Sequence, residues 1–170
     1  IWAGGMWMYN SRLFSLASFA AFTLGIYRLD LAFNAEYDWI LFSLGAACLV
    51  GAIGSRLLSR WKDLKFAQPV FLLAQGLQGF VLAGSLLAIA INSFESPQAS
   101  QWIALSLTWL SAAAFYAASG IIVRFLLFPW AAVAALFPVP WLFLLAFNPS
   151  PTMMIAGFGV WAALLGLASE

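Results

Sequence analysis

The sequence predicts an all-α fold, a polytopic integral membrane helix bundle of about six transmembrane helices, on three observations. The 170-residue chain is 65% apolar and only 8% charged, against about 45–50% and about 25% in soluble domains. Its seven Lys/Arg and six Asp/Glu stand at the ends of, or between, long apolar runs, with none near the middle of a run. Ala, Leu and Gly are abundant and strand-like alternation is absent, which argues against a barrel. A soluble core of this size could not hide so much apolar surface. The bilayer must be the solvent, and a helix satisfies its own backbone hydrogen bonds there.

The charges mark each span in turn. Leu13 to Tyr27 is an uncharged run of 15 residues between Arg12 and Arg28. At 1.5 Å per residue this is short for a hydrocarbon core of about 30 Å, so snorkelling arginines must complete a first helix over 12–30. Asp38 opens a second helix, 39–58, and Arg56 closes its apolar run. The third, 67–94, has Pro69 near its start, where a missing N–H costs least. The fourth, 101–127, carries Arg124 near its end. Phe125 to Ser169 then runs 45 residues without a charge, long enough for two crossings. Asn148-Pro149-Ser150-Pro151 is the turn that divides this run into 129–147 and 152–168. Residues 1–170 form a single transmembrane domain, and a chain that starts at Ile1 is compatible with a fragment of a longer polypeptide.

Arg56, Arg60, Lys62 and Lys65 crowd the connection between the second and third spans, which the positive-inside rule places in the cytoplasm. Alternation from there puts both termini on the cytoplasmic side, with six of the seven basic residues in agreement. Asp30, Glu36, Asp38 and Glu95 fall at the opposite side; the first three could hold a cation or act as an acid–base pair, but in a short loop solvated acidic side chains are the ordinary reading. Trp39, Trp61, Trp102 and Trp130 stand at segment edges, as interfacial anchors do. Localisation to a bacterial inner (cytoplasmic) membrane is the corresponding expectation. Residues 55–66 read either as a short helix in the interface or as an extension of the second span. Leu24 to Arg28 weakly echoes Gly120 to Arg124, as inverted repeats would.

Recognition chemistry must come from uncharged groups. Gln75, Gln78, Ser85 and Asn92 fall within about a 100° sector of the third helix. Amides in lipid need partners, so this stripe points into the bundle, with Thr108, Ser111 and Ser119 of the fourth helix as candidates. The stripe reads as interhelical glue or, alternatively, as one wall of a ligand site. Pro138-Val139-Pro140 predicts a kink or break in the fifth helix, and broken helices build substrate sites in transporters. Trp109, Tyr116 and Trp141 are candidate lining aromatics. Small residues recur at four-residue spacing at Ala47/Gly51/Ser55, Ala113/Ala117, Gly159/Ala163 and Ala162/Gly166, which permits close backbone approach.

Absences narrow the functional classes. There is no His, so no imidazole for haem, zinc or acid–base work, and the lone Cys48 implies neither a disulfide nor a metal site. No catalytic residue, metal ligand or cofactor is indicated, although a bound lipid or pigment stays open. The net charge of +1 argues against nucleic acid. The leading expectation is a non-catalytic multi-pass module in the lipid bilayer. It would be the membrane domain of a larger protein or an accessory subunit packed on other membrane subunits. The alternative is a carrier for an apolar or amphipathic small molecule, with a pocket between the third-helix stripe and the broken fifth helix. Gln75, Gln78, Ser85, Asn92, Tyr116, Pro138 and Pro140 would line it.

Overall fold

The computed structural model describes residues 12–61, 64–94 and 97–167, and every regular element among them is a helix. In chain order these are α1 (Arg12–Ala32), α2 (Tyr37–Trp61), α3 (Leu64–Asn92), α4 (Ala99–Val123), α5 (Leu127–Leu136), α6 (Val139–Leu145) and α7 (Pro151–Leu167). Four stretches are long and apolar enough to cross a membrane: Tyr37–Arg60, Ala67–Asn92, Ala99–Val123 and Leu127–Leu145. The chain is therefore a helical membrane protein. The count of six crossings is approximate. α1 has 21 residues but includes Arg12, Arg28 and Asp30, and α7 is described over 17 residues, Pro151–Leu167.

The helix ends follow local chemistry. Ser150 accepts the Met153 N–H on its Oγ at 3.4 Å, with Pro151 as the first helical residue, so serine cap and proline start α7 together. The Gln98 N–H donates to the Gln101 side-chain oxygen at 2.8 Å and fixes the start of α4. α1 and the α6–α7 turn use Asn34 (φ 51°) and Asn148 (φ 47°), asparagine being the residue that tolerates this left-handed conformation besides glycine. The fourth span stops at Val123 rather than 127, because Arg124 turns to φ 53° and its N–H closes on the Gly120 carbonyl at 2.9 Å. α3 begins at Leu64, a few residues before the expected 67, so Pro69 lies near its start, in the second turn. Residues 55–61 are the last turns of α2, which favours the extension over a separate interfacial helix; residues 62–63 of that connection, and the side chains of 61–66, lie outside the described part.

α2 is the hub, packed on α1, α3 and α4. α1 also packs on α3, while α5 and α6 pack on α4 and on each other, and among the described residues the α7 backbone contacts only α6. Water cannot drive this association inside lipid, so close packing of small residues must. The α2 ridge does so: Ala47, Gly51 and Ser55 are all buried, together with Cys48 and Ala52. A methyl group added at Gly51 would lie 2.5 Å from the Phe19 ring of α1 and 3.3 Å from Ala74 of α3. Phe19, Cys48, Ala52, Val70, Ala74 and Phe115 form one core there, joining four helices. On α4, Ala113 is buried and Ala117 exposed, so only half of that expected pair packs.

A second cluster joins Leu41, Ala88, Trp102, Leu105 and Leu142. Trp102 is thus a core residue, 8% exposed, rather than an interfacial anchor. Trp130 is exposed and Trp39 half-buried. The echo between the Gly25 and Gly120 segments has no packing counterpart. Gly25 faces open space, whereas the hydrogen side of Gly120 abuts Pro129, 3.1 Å from where a methyl would stand.

Two outcomes are expected from unfolding in detergent micelles titrated with SDS. Gly51→Ala destabilises by about 1–3 kcal/mol through overpacking against Phe19, whereas Gly54→Ala, with open space at its Cβ, is neutral or gains up to about 1 kcal/mol. Arg124→Gly stabilises by about 1 kcal/mol, since the left-handed conformation strains a residue with a Cβ and not glycine.

Candidate functional site

The stripe on α3 does face inward, and its members meet different fates. Gln75 donates from Nε2 to the Ser119 Oγ of α4 at 2.9 Å. Asn92, buried at the other end of α3, donates from Nδ2 to Asp38 Oδ2 of α2 at 3.4 Å. Ser85 returns its proton to its own helix, at the Leu82 carbonyl, 2.8 Å away. Gln78 lies between them, 0% exposed, and neither Oε1 nor Nε2 has a partner. Two of the four groups therefore bind neighbouring helices of the same chain, one is satisfied locally, and one is left over. Thr108 and Ser111, expected as partners, donate within α4 to Ala104 and Thr108 carbonyls, both at 2.8 Å.

Register explains where Gln78 sits. The Gln75–Ser119 bond ties α3 to α4 one turn on one side of it. On the other side, a methyl at Gly45 of α2 would lie 2.7 Å from Ser111 Oγ and 3.6 Å from Val81, so α2, α3 and α4 converge there. The Gln78 amide is enclosed in the stretch of α3 that both α2 and α4 approach. A buried amide without partners costs about 1–3 kcal/mol for each group left unmade.

Asp38 departs from the sequence expectation. Read with Asp30 and Glu36 as a solvated loop carboxylate, it instead sits in the first turn of α2, 4% exposed, with Oδ1 unpartnered. Helix N-terminal position favours an acidic group there, and Asn92 supplies its one hydrogen bond. Asp30 accepts from Ser43 Oγ at 3.3 Å, and Glu36 is exposed. Among the described residues no group of three or more His, Cys, Asp or Glu could hold a metal ion.

The Pro138-Val139-Pro140 segment breaks the fifth span as its chemistry requires. α5 ends at Leu136, and α6 starts after Phe137 and Pro138. The break is stitched to α4 rather than open: Ser106 Oγ donates to the Val139 carbonyl at 3.0 Å. Within the break, the Phe137 N–H reaches Ala134 O at 3.3 Å and the Leu142 N–H reaches Pro138 O at 2.9 Å. Ser106 was not among the sequence candidates. It lies two residues, about 200° of helix rotation, from Thr108, on the face of α4 that meets α6 rather than α3.

The stripe and the break do not share a pocket. The backbones of α3 and α5–α6 do not come into contact. Apolar side chains fill the space between them. Leu142 enters the Leu41, Ala88, Trp102 and Leu105 cluster, and Leu82 and Trp109 pack with Ala112, Ala113 and Ala135. Tyr116 is half-buried in aromatic packing, edge-on to Phe115 at 5.3 Å between centroids and stacked on Phe128 at 6.4 Å. Trp141 is 36% exposed. Four grooves of about 250–510 Å³ open along the bundle, and none of these four is lined by Gln78, Tyr116, Pro138 or Pro140. Two of them converge on Gln68 at the end that carries Arg12 and Arg56, which in the sequence mark span ends and orientation.

The contrast within the stripe is measurable. Gln75→Leu lowers stability in SDS titration by about 1 kcal/mol, the worth of one interhelical hydrogen bond in lipid. Gln78→Leu is neutral or stabilising, because it removes two unmade groups.

No protein-family model, curated protein or solved structure matches this chain, so the functional reading rests on its own residues and geometry.

Proposed function

We propose that this chain is a non-catalytic multi-pass membrane module, the membrane domain of a larger protein or an accessory subunit that packs on other membrane proteins. The observation that carries this reading is α7. Among the described residues its backbone contacts only α6, where Gly157 meets Leu144 so closely that a methyl would lie 2.6 Å from it. Away from α6, Thr152, Ala156, Gly159 and Ala163 are all exposed, and Gly159 has nothing within 4 Å of its Cβ position. Their spacing of four, three and four residues puts these small side chains on one face, the pattern by which helices approach closely in lipid. A filled interior between α3 and α5–α6 supports the same reading over the carrier alternative. In this proposal the end bearing Arg12, Arg56, Arg60 and Arg124 faces the cytoplasm of a bacterial inner membrane.

A photo-crosslinking residue at Gly159 or Ala163, in the full chain in native membranes, tests the proposal. One defined protein adduct is expected, absent when the same probe replaces the exposed Leu86 of α3. Gly159→Leu with Ala163→Leu should abolish stoichiometric co-purification of that partner. Equal labelling at all three positions, or a chain that purifies alone with a retained small molecule other than a bilayer phospholipid, overturns it in favour of the carrier.

A further inference from the structure

At the basic end of the bundle, two grooves flank the exposed side chain of Gln68 on α3. One, about 250 Å³, lies between the ends of α2, α3 and α4 and is lined by Arg56, Ser59, Gln68, Phe71, Ile122 and Val123, with Ser55 and Ala67. The other, about 510 Å³, lies between α1 and α3 and is lined by Arg12, Leu16, Gln68, Pro69, Leu72 and Leu73. Each groove pairs one arginine with a mostly apolar remainder, and Gln68 is common to both.

Neither arginine has a carboxylate partner among the described residues. The described acids, Asp30, Glu36 and Asp38, all stand at the opposite end, where Asp30 meets Ser43 and Asp38 meets Asn92. The hydroxyl protons nearby are already used, with Ser55 donating to Ala52 O and Ser59 to Arg56 O, each at 2.7 Å. Among the described residues lining the two grooves, the remaining side-chain donors are the two guanidiniums and the Gln68 amide. Guanidinium is the side chain best matched to a phosphate, which it grips with paired N–H groups.

We propose that these two grooves bind one anionic diacyl phospholipid. Its headgroup phosphate lies over Gln68, flanked by Arg12 and Arg56. One acyl chain runs along Phe71, Ile122 and Val123, and the other along Leu16, Leu72 and Leu73. The smaller groove is below the ~300–1,000 Å³ of a site for a whole drug-sized ligand, which suits a chain segment rather than a complete soluble molecule. Basic recesses between helices at the membrane surface are a known setting for anionic headgroups.

The test is native mass spectrometry of the full chain, released from nanodiscs of phosphatidylcholine with a minor fraction of phosphatidylglycerol. Selective retention of one phosphatidylglycerol per chain is expected. Arg56→Gln and Arg12→Gln should each weaken retention about fivefold, as loss of one basic residue near a charged surface does, and the double variant more. Both arginines are exposed, so neutralising them leaves the core untouched. Leu72→Trp and Val123→Trp, which fill the grooves and keep both charges, should also reduce retention. Inorganic phosphate added at millimolar concentration should not displace the lipid. Equal retention of phosphatidylcholine, unchanged retention in the double arginine variant or displacement by phosphate alone would overturn the proposal.

Discussion

A medium without water makes every polar group inside this protein answerable to another part of the same chain. The helices themselves meet that demand for most of the backbone. Where the backbone is interrupted, a side chain has to intervene. Ser106 does so at the break in the fifth span, giving its proton to the Val139 carbonyl. The same demand turns the α3 amides inward, since an amide facing lipid would find no donor or acceptor at all. The break and the stripe, which could have been the two walls of a site, are for this reason anchored separately, the break to α4 and the stripe to α4 and α2.

Close approach of helices then replaces hydrophobic driving force. α2 can be the hub because its inner face is narrow: Gly45, Ala47, Cys48, Gly51, Ala52 and Ser55. Phe19, Ala74 and Phe115 occupy the room that larger α2 side chains would have taken. This density has a chemical consequence. At the level of Gln78 three helices are so near that the amide is enclosed without a partner. Packing and polar satisfaction compete at this point, and the packing has prevailed.

Space for a ligand or partner remains where helices do not meet closely. It remains at the surface, in grooves between helix ends and along the free face of α7, rather than between the stripe and the prolines. Surfaces of that kind engage lipid and other helices. The charge pattern is consistent with this division, with arginines that meet no carboxylate among the described residues near the grooves of one end and carboxylates held by Asn92 and Ser43 at the other.

Much of the fold was legible along the chain because it depends on local properties. Charges at run ends located the helices within a few residues, since an ionised group does not cross a bilayer core cheaply. Helical periodicity predicted that Gln75, Gln78, Ser85 and Asn92 share an inward face, and proline chemistry placed the break at Pro138. The sequence did not reveal which partner each polar group finds. Asp38 and Asn92 are 54 residues apart, Gln75 and Ser119 are 44 apart, and Ser106 and Val139 are 33 apart. Their pairing depends on the rotation and register of whole helices, which glycine contacts from distant segments determine. The sequence alone therefore determined a helical membrane protein whose interior recognition chemistry is uncharged. Only the tertiary structure decided that Gln78 is left unpaired, that Asp38 is buried, and that apolar side chains fill the expected pocket, because each depends on how closely separate helices meet.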